Sequence, residues 1–110
     1  MPTPDDFFAI ELRIGTVVDA APFPEARKPA IKLEIDFGDA AGRRRSSAQI
    51  TDRYAAAALV GRQVVGVLNI GTRRIAGFTS EVLVLGAMET PTQVILLRPD
   101  PPAPNGSRIA

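Results

Sequence analysis

Chemistry in this 110-residue sequence has to come from arginine, lysine, serine and carboxylate side chains, because the sequence contains no histidine and no cysteine. Those two absences exclude thiolate and imidazole zinc sites, a Ser-His-Asp triad, a cysteine nucleophile, a redox pair and a disulfide. An oxygen-only metal site would need clustered carboxylates, and Asp5-Asp6 fits a helix start better than a ligand pair. Neither a GxGxxG turn between a strand and a helix nor a GxxxxGK[ST] motif occurs. The sequence therefore predicts no enzyme, no metal site and no cofactor.

Positive charge is concentrated in the middle of the chain. Between Arg27 and Arg74 there are ten basic and four acidic residues, a net charge of +6, while the remaining residues carry −5. This asymmetry predicts a surface that attracts phosphates or other anions. The alternative is an ordinary solvated surface on which opposite charges mix once the chain folds.

The segment from residue 73 to residue 81 is the richest in candidate binding residues. Two arginines, an aliphatic and an aromatic residue make a mixed surface that could hold a nucleotide or an extended peptide. The candidates are Arg73, Arg74, Ile75, Phe78, Ser80 and Glu81. In the alternative interpretation, Ile75 and Phe78 plug the bottom of a barrel and Glu81 ties a neighbouring arginine.

Polar candidates also lie on a predicted third strand. Ser46, Ser47 and Gln49 stand where an apolar alternation would be expected, which suits binding to the polar backbone of a peptide or a nucleic acid. The alternative is that they are strand hydroxyls satisfied by facing a neighbouring loop. Arg43-Arg44-Arg45 open the same strand, so two side chains should project to one face and the third to the other. These arginines could pair with phosphates or carboxylates, or could block edge pairing.

A proline-bounded loop and the strand after it supply the remaining candidates. These are the aromatic Phe23 and the basic residues Arg27, Lys28 and Lys32.

The elements that must position these residues are mostly short strands. An alternation of apolar and charged residues over 31–37 is the clearest strand pattern, and β-branched runs bounded by glycine or proline predict others. The sequence predicts a helix over 4–10, strands over 12–20, 31–37, 43–49, 64–68, 82–85 and 94–97, and a short helical connection within 50–59.

Five or six short strands with one helical insert predict an all-β fold, a small OB-type barrel that forms one domain over residues 1–110. The tail over 99–110 contains four prolines followed by Asn105-Gly106. Such a tail is either disordered or an extended arm that docks on a partner subunit. The amino terminus lacks the pattern of a secretory signal, and no apolar run approaches the about 20 residues that cross a bilayer. A cytoplasmic location without membrane insertion is expected.

Several long blocks resemble one family. FPEARKPAIKLEIDFG, SSAQIT, RRIAGFTSEVLVLG and LLRPDPPAPNG are similar to the CsaA family, small bacterial chaperones associated with protein export, over residues 6–109. That family resembles a wider group of tRNA-binding OB-fold domains appended to methionyl- and phenylalanyl-tRNA synthetases. The wider pattern appears in LRIGTV at 12–17, Lys32-Leu33, the Asn69 region, Gly77 and Ser80-Glu81. The chain departs from it at Val82-Leu83 and in SSAQIT.

The resemblance implies an OB fold, a homodimer and an export-chaperone role. We therefore expect an ATP-independent chaperone that binds unfolded precursor peptides, with the export machinery as a further partner. The alternative is a structure-selective tRNA-binding protein that uses the same surface, for which Phe78 and Tyr54 are the aromatic stacking candidates. Asn69 joins the candidate binding residues. The residues expected in the dimer contact are Phe7, Phe8, Ser107 and Ile109.

Overall fold

A computed structural model describes all 110 residues. Five antiparallel strands form the main sheet in the order β3-β2-β1-β4-β7, and β5-β6 and β8-β9 form two separate hairpins. The strands are β1 (Leu12–Pro22), β2 (Ile31–Asp36), β3 (Arg43–Ala48), β4 (Gln63–Val67), β5 (Arg73–Ile75), β6 (Phe78–Ser80), β7 (Leu83–Val84), β8 (Gly86–Thr90) and β9 (Gln93–Leu96). The helices are α1 (Pro4–Phe8), a 3-10 turn (Gly38–Ala40) and α2 (Ala56–Leu59). The predicted all-β fold is confirmed.

The main sheet curls into a nearly closed barrel. Strand β1 pairs with β2 along one edge and with β4 along the other, and a bulge between Val17 and Asp19 adds to its bend. At the opposite side β3 contacts both β6 and β7. The backbone N–H of Glu81 donates to the carbonyl of Arg45 at 2.8 Å, which links the two ends of the curled sheet. Closure of this kind removes exposed strand edges.

The barrel core consists mainly of aliphatic side chains packed around the ring of Phe37. The alternation on β2 is confirmed, since Ile31, Leu33 and Ile35 are buried and the charged residues between them are half-buried. Phe37 follows β2 and has no exposed surface. Two glycines make room for its ring: an added Cβ would lie 2.8 Å from the ring at Gly15 and 2.7 Å from it at Gly66.

The amino-terminal helix begins as its sequence predicts. The N–H of Asp6 donates to the Thr3 hydroxyl at 3.4 Å and the N–H of Thr3 donates to the Asp6 carboxylate at 2.7 Å, which forms a capping box. The helix ends at Phe8, two residues before the predicted end at residue 10. Phe7 and Phe8 are 40% and 51% exposed. No helix in the structure has the length and apolar character needed to span a membrane.

Two predicted elements are shorter than expected. Only the four residues of α2 are helical within the predicted connection 50–59. Only the two residues of β7 form a strand within the predicted segment 82–85. The segment 73–80 lies outside the predicted strands, but it forms a complete hairpin. Ala76 and Gly77 both have positive φ, 47° and 82°. A two-residue type I′ hairpin turn requires positive φ at both central positions.

The carboxyl-terminal arm lies on β1 of its own chain. The N–H of Gly106 donates to Ile14, the N–H of Ile14 donates to Ser107, and the N–H of Ile109 donates to Leu12, over 2.7 to 2.9 Å. The Ile109 side chain packs on a second apolar cluster formed by Leu12, Ile14, Val65 and Val67. The arm is therefore ordered, and it is anchored within the chain. A part for Ser107 and Ile109 in a dimer stays a prediction.

Candidate functional site

A cleft of about 540 Å³ opens beside the tip of the β5-β6 hairpin. Three segments bound it: the loop between β1 and β2, the end of β3, and the hairpin itself. We call it the hairpin cleft. It brings together seven of the predicted site residues: Arg27, Lys28, Ser47, Gln49, Arg73, Arg74 and Ile75.

The hairpin places apolar and basic groups side by side. The tight turn at Ala76-Gly77 presents Ile75 and Ala76 to the cleft. Arg74 donates to the Thr79 hydroxyl across the hairpin at 2.9 Å, which fixes one of the two arginines. Ile75 is half-buried and Arg73 is exposed, so both can contact a ligand.

Much of the protein's uncompensated positive charge faces this cleft. Of the 13 lysine and arginine residues, seven form an ion pair or donate a side-chain hydrogen bond. The other six are Arg27, Lys28, Lys32, Arg62, Arg73 and Arg98. Three of these line the hairpin cleft, where Glu25 is the one carboxylate. If the protein has the predicted anion-attracting surface, this cleft is where we expect it.

A separate pocket contains Phe78, one ring of an aromatic pair whose other ring, Phe23, is buried. The rings of Phe23 and Phe78 meet edge to face with centroids 5.5 Å apart. Lys32 Nζ lies 5.0 Å from the Phe23 centroid and 5.8 Å from that of Phe78, and the Arg45 guanidinium lies 5.3 Å from Phe78. These distances fit cation-π contacts. Phe78, Lys32 and Arg45 line this pocket of about 310 Å³.

The alternative in which Ile75 and Phe78 plug the barrel is wrong. Neither side chain belongs to the core clusters of the barrel, and both are only half-buried. The sequence alone could not separate the two interpretations, because an apolar residue near a turn fits either a core or an exposed contact.

Three predicted site residues serve instead to close the barrel. Ser46 is buried and its hydroxyl donates to the carbonyl of Val82 at 2.8 Å. The Ser80 hydroxyl accepts from the N–H of Ser47 at 3.1 Å. The Glu81 carboxylate accepts from the N–H of Arg45 at 3.1 Å and pairs with its guanidinium at 3.8 Å. The alternative interpretations of Ser46 and Glu81 as structural groups therefore describe their contacts correctly.

Asn69 does not line the hairpin cleft. Its amide oxygen accepts from the N–H of Glu11 and its amide nitrogen donates to the carbonyl of Ala9, both at 2.8 Å. Both side-chain groups are thus used to hold the end of α1 against the end of β4. This contact spans about sixty residues of sequence, so no local signal pointed to it.

The three consecutive arginines are each engaged within the chain. Arg43 pairs with Glu34 at 3.4 Å, Arg44 donates to the carbonyl of Ala41 at 3.1 Å, and Arg45 pairs with Glu81. The predicted alternation holds, since Arg43 and Arg45 lie opposite the outward-facing Asp36 and Glu34 of β2. This run stabilises the strand, and none of its members lines the hairpin cleft.

A five-stranded barrel with a basic cleft at its loops, without a catalytic constellation, defines a binding domain of the OB class. The chain belongs to the family of putative tRNA binding domains, which matches residues 12–108.

Solved structures confirm the resemblance to CsaA. The crystal structure of the chaperone CsaA from Bacillus anthracis is 52% identical with a TM-score of 0.94, and the match covers 100% of this chain and 99% of that one. The CsaA chaperone protein from Picrophilus torridus is 45% identical with a TM-score of 0.92, covering 100% of both chains. The predicted OB-type barrel is confirmed by these matches.

The chain is also similar to part of a tRNA synthetase. The methionine–tRNA ligase of Methanococcus aeolicus is 34% identical over 105 residues, which are 96% of this chain but only 15% of the ligase. The chain thus spans a small part of the curated relatives it matches.

Proposed function

We propose that this protein is an ATP-independent chaperone, without catalytic activity, that binds unfolded precursor polypeptides in the hairpin cleft before their export. The observation that carries this proposal is the pairing of an apolar tip, Ile75 and Ala76, with free cations at Arg27, Lys28 and Arg73. The near full-length similarity to two CsaA chaperones supports it.

The cleft suits an extended segment that mixes apolar and acidic residues. Apolar side chains would cover Ile75 and Ala76, while carboxylates would meet the guanidinium and ammonium groups at the rim. The Ser47 hydroxyl and the Gln49 amide line the same cleft and could hydrogen-bond the peptide backbone. A protein that binds only the unfolded chain delays folding by mass action, so no energy source is needed.

tRNA binding is the second candidate function, and the family match together with the free cations favours it. Such binding would rest on phosphate contacts and on RNA shape. Base stacking would contribute little, because Phe78 already contacts Phe23, Lys32 and Arg45. Tyr54 is half-buried, Arg62 lies over its ring, and its hydroxyl accepts from the N–H of Leu96 at 3.0 Å.

We further propose that the protein works as a homodimer in the cytoplasm, where it binds precursors before they reach the export machinery. Phe7, Phe8 and Ile10 form an exposed apolar segment at the amino terminus, and pairing would cover it. Sedimentation at micromolar concentration should then give about twice the 11.7 kDa of the chain. Phe8→Ser should shift the protein towards the monomer, whereas a wild-type protein that is a stable monomer would overturn this part of the proposal.

A competition experiment tests the two functions against each other. The purified protein is mixed with a fluorescent unfolded precursor, and total tRNA is added at two salt concentrations. We expect precursor binding to persist at the higher salt, while competition by tRNA weakens steeply as phosphate contacts are screened. Tight tRNA binding with no measurable precursor binding at either salt concentration would reject the chaperone proposal.

A further inference from the structure

A second pocket, of about 450 Å³, shares no residue with the hairpin cleft. It lies between the residues that join α2 to β4 and the beginning of the carboxyl-terminal arm. Residues 61–63 form one wall and residues 98–100 with Pro102 form the other. We call it the arm pocket. Of the three remaining cations without an ion pair, Arg62 and Arg98 are both part of its lining, whereas Lys32 lies against the rings of Phe23 and Phe78.

Arg62 carries a charge that the protein itself does not compensate. Its Nε is shielded from solvent and has no hydrogen-bond partner, and its guanidinium forms no ion pair. A shielded donor without an acceptor is costly, and in a native protein such a group is satisfied by a water molecule, an ion or a ligand. A bound anion in the pocket would compensate this charge.

The two walls are held in place without the help of a ligand. The Arg62 guanidinium lies 5.2 Å from the centre of the Tyr54 ring, and the Arg62 carbonyl accepts from the N–H of Val17 at 2.9 Å. Gln63 fixes the arm, since its side chain donates to the carbonyl of Ala103 at 2.6 Å and accepts from its N–H at 3.0 Å. Arg62 and the backbone of the arm therefore need little reorganisation to accept a ligand.

Asp100 sits in the same lining but forms no ion pair within 4.0 Å with either arginine. Its carboxylate therefore leaves both guanidinium groups available to a ligand, and its negative charge repels a second anion from the rim of the arm pocket. Two opposite effects are therefore expected. Neutralising Asp100 should strengthen anion binding, whereas removing the guanidinium group of Arg62 or Arg98 should weaken it.

We propose that the arm pocket is a phosphate-binding site. Two guanidinium groups offer several N–H donors in fixed planes, which suits the oxygens and the charge of a phosphate better than a single carboxylate. The phosphate could belong to a free ion, to a nucleotide or to a nucleic-acid backbone. The site is independent of the hairpin cleft, so the peptide proposal can fail while this one stands.

Amide NMR titrations of the full chain test the site with three probes at constant ionic strength: inorganic phosphate, adenosine monophosphate and a dinucleotide with one internal phosphodiester. We expect saturable shifts of the amides of Gly61, Arg62, Arg98 and Asp100 with at least one probe. The probe with the lowest Kd identifies the source of the phosphate. Linear shifts without saturation for all three probes would overturn the proposal.

Substitutions distinguish a specific phosphate site from nonspecific attraction of anions by the net positive charge. Arg98 is exposed and without partners, so Arg98→Ala should leave the fold intact and weaken binding about tenfold. Arg62→Lys keeps the charge but removes the planar fork, and it should weaken binding as well. Asp100→Asn should tighten binding severalfold.

Arg43→Ala is the matched control, because it removes one exposed positive charge that is paired with Glu34 outside the pocket. Its Kd for phosphate should stay near that of the wild type. If Arg43→Ala weakens binding as much as Arg98→Ala does, the attraction is a property of net charge and the proposed site is rejected.

Discussion

The strands around Phe37 and the β5-β6 hairpin are both antiparallel, but different interactions hold them. Phe37 has no exposed surface, and Gly15 and Gly66 are packed so closely against its ring that an added Cβ would lie within 2.8 Å of it. The hairpin has no buried residue, and nothing lies within 4 Å of the space where a side chain at Gly71 or Gly77 would begin. It is held mainly by backbone pairing and by the contact between Phe78 and Phe23.

This difference separates stability from binding. The barrel depends on a few close contacts that tolerate no added or missing atoms. The hairpin contributes little to the core, so its side chains at Arg73, Ile75 and Ala76 are free to vary with the ligand. Substitutions in the two regions should therefore affect different measurements.

The largest effect is expected at the centre of the core. Phe37→Ala should lower the free energy of unfolding by about 3 to 5 kcal/mol, because it removes a fully buried ring and leaves a cavity. Urea denaturation measures the change. Val60→Ala, at a side chain that is 51% exposed and outside the proposed dimer contact, is the control and should alter the free energy of unfolding by less than about 0.5 kcal/mol. Equal losses for the two variants would contradict the importance we assign to the core ring.

A smaller loss is expected where Gly66 meets the same ring. Gly66→Ala places a Cβ 2.7 Å from the Phe37 ring, and the overpacking should cost about 1 to 3 kcal/mol. A double-mutant cycle with Phe37→Leu measures the coupling by denaturation. In the Phe37→Leu background the added methyl group should cost clearly less. The same cost in both backgrounds would mean that the contact with the ring is not the cause.

In the hairpin the expected change is in affinity. Ile75→Ala should weaken binding of an unfolded precursor by about 1 to 2 kcal/mol through lost apolar burial, while the unfolding midpoint stays nearly unchanged. Fluorescence anisotropy measures the Kd. Val60→Ala removes an exposed aliphatic side chain that does not line the cleft, so its Kd should match that of the wild type. A wild-type Kd for Ile75→Ala would exclude the hairpin tip from the peptide site.

The smallest effect concerns charge and appears only in the salt dependence. If tRNA contacts the hairpin, Arg73→Ala should reduce the slope of log affinity against log salt by about one unit, because one phosphate contact is lost. Arg43→Ala, at an arginine paired with Glu34, should leave the slope nearly unchanged. A slope that does not change in Arg73→Ala would remove the hairpin from the tRNA-binding surface.

Local patterns in the sequence predicted the barrel strands well. The alternation on β2 and the acidic, proline-containing start of α1 both depend on neighbouring residues, and both are found. The β5-β6 hairpin was missed because its strands have three residues each, too few for an alternation to appear, and Ala76-Gly77 is not among the commonest turn pairs.

The candidate site was predicted only in part, because tertiary contacts decide which side chains remain available to a ligand. Residue type together with the family resemblance pointed to Arg27, Lys28, Arg73 and Ile75, which the structure brings to one cleft. Ser46 and Asn69 have the same polar character, but tertiary contacts use their side chains elsewhere. Arg62 gave no sequence signal, because only the fold shows that it has no partner.

Mapping an unfolded precursor peptide onto the protein by amide chemical shifts tests the central claim most directly. If the hairpin cleft holds the peptide, saturable shifts should concentrate in three segments, residues 25–30, 47–49 and 73–76, and in Ile75→Ala the same shifts should saturate only at about tenfold higher peptide concentration. Shifts confined to α1 and the arm, with none at the hairpin, would contradict the account.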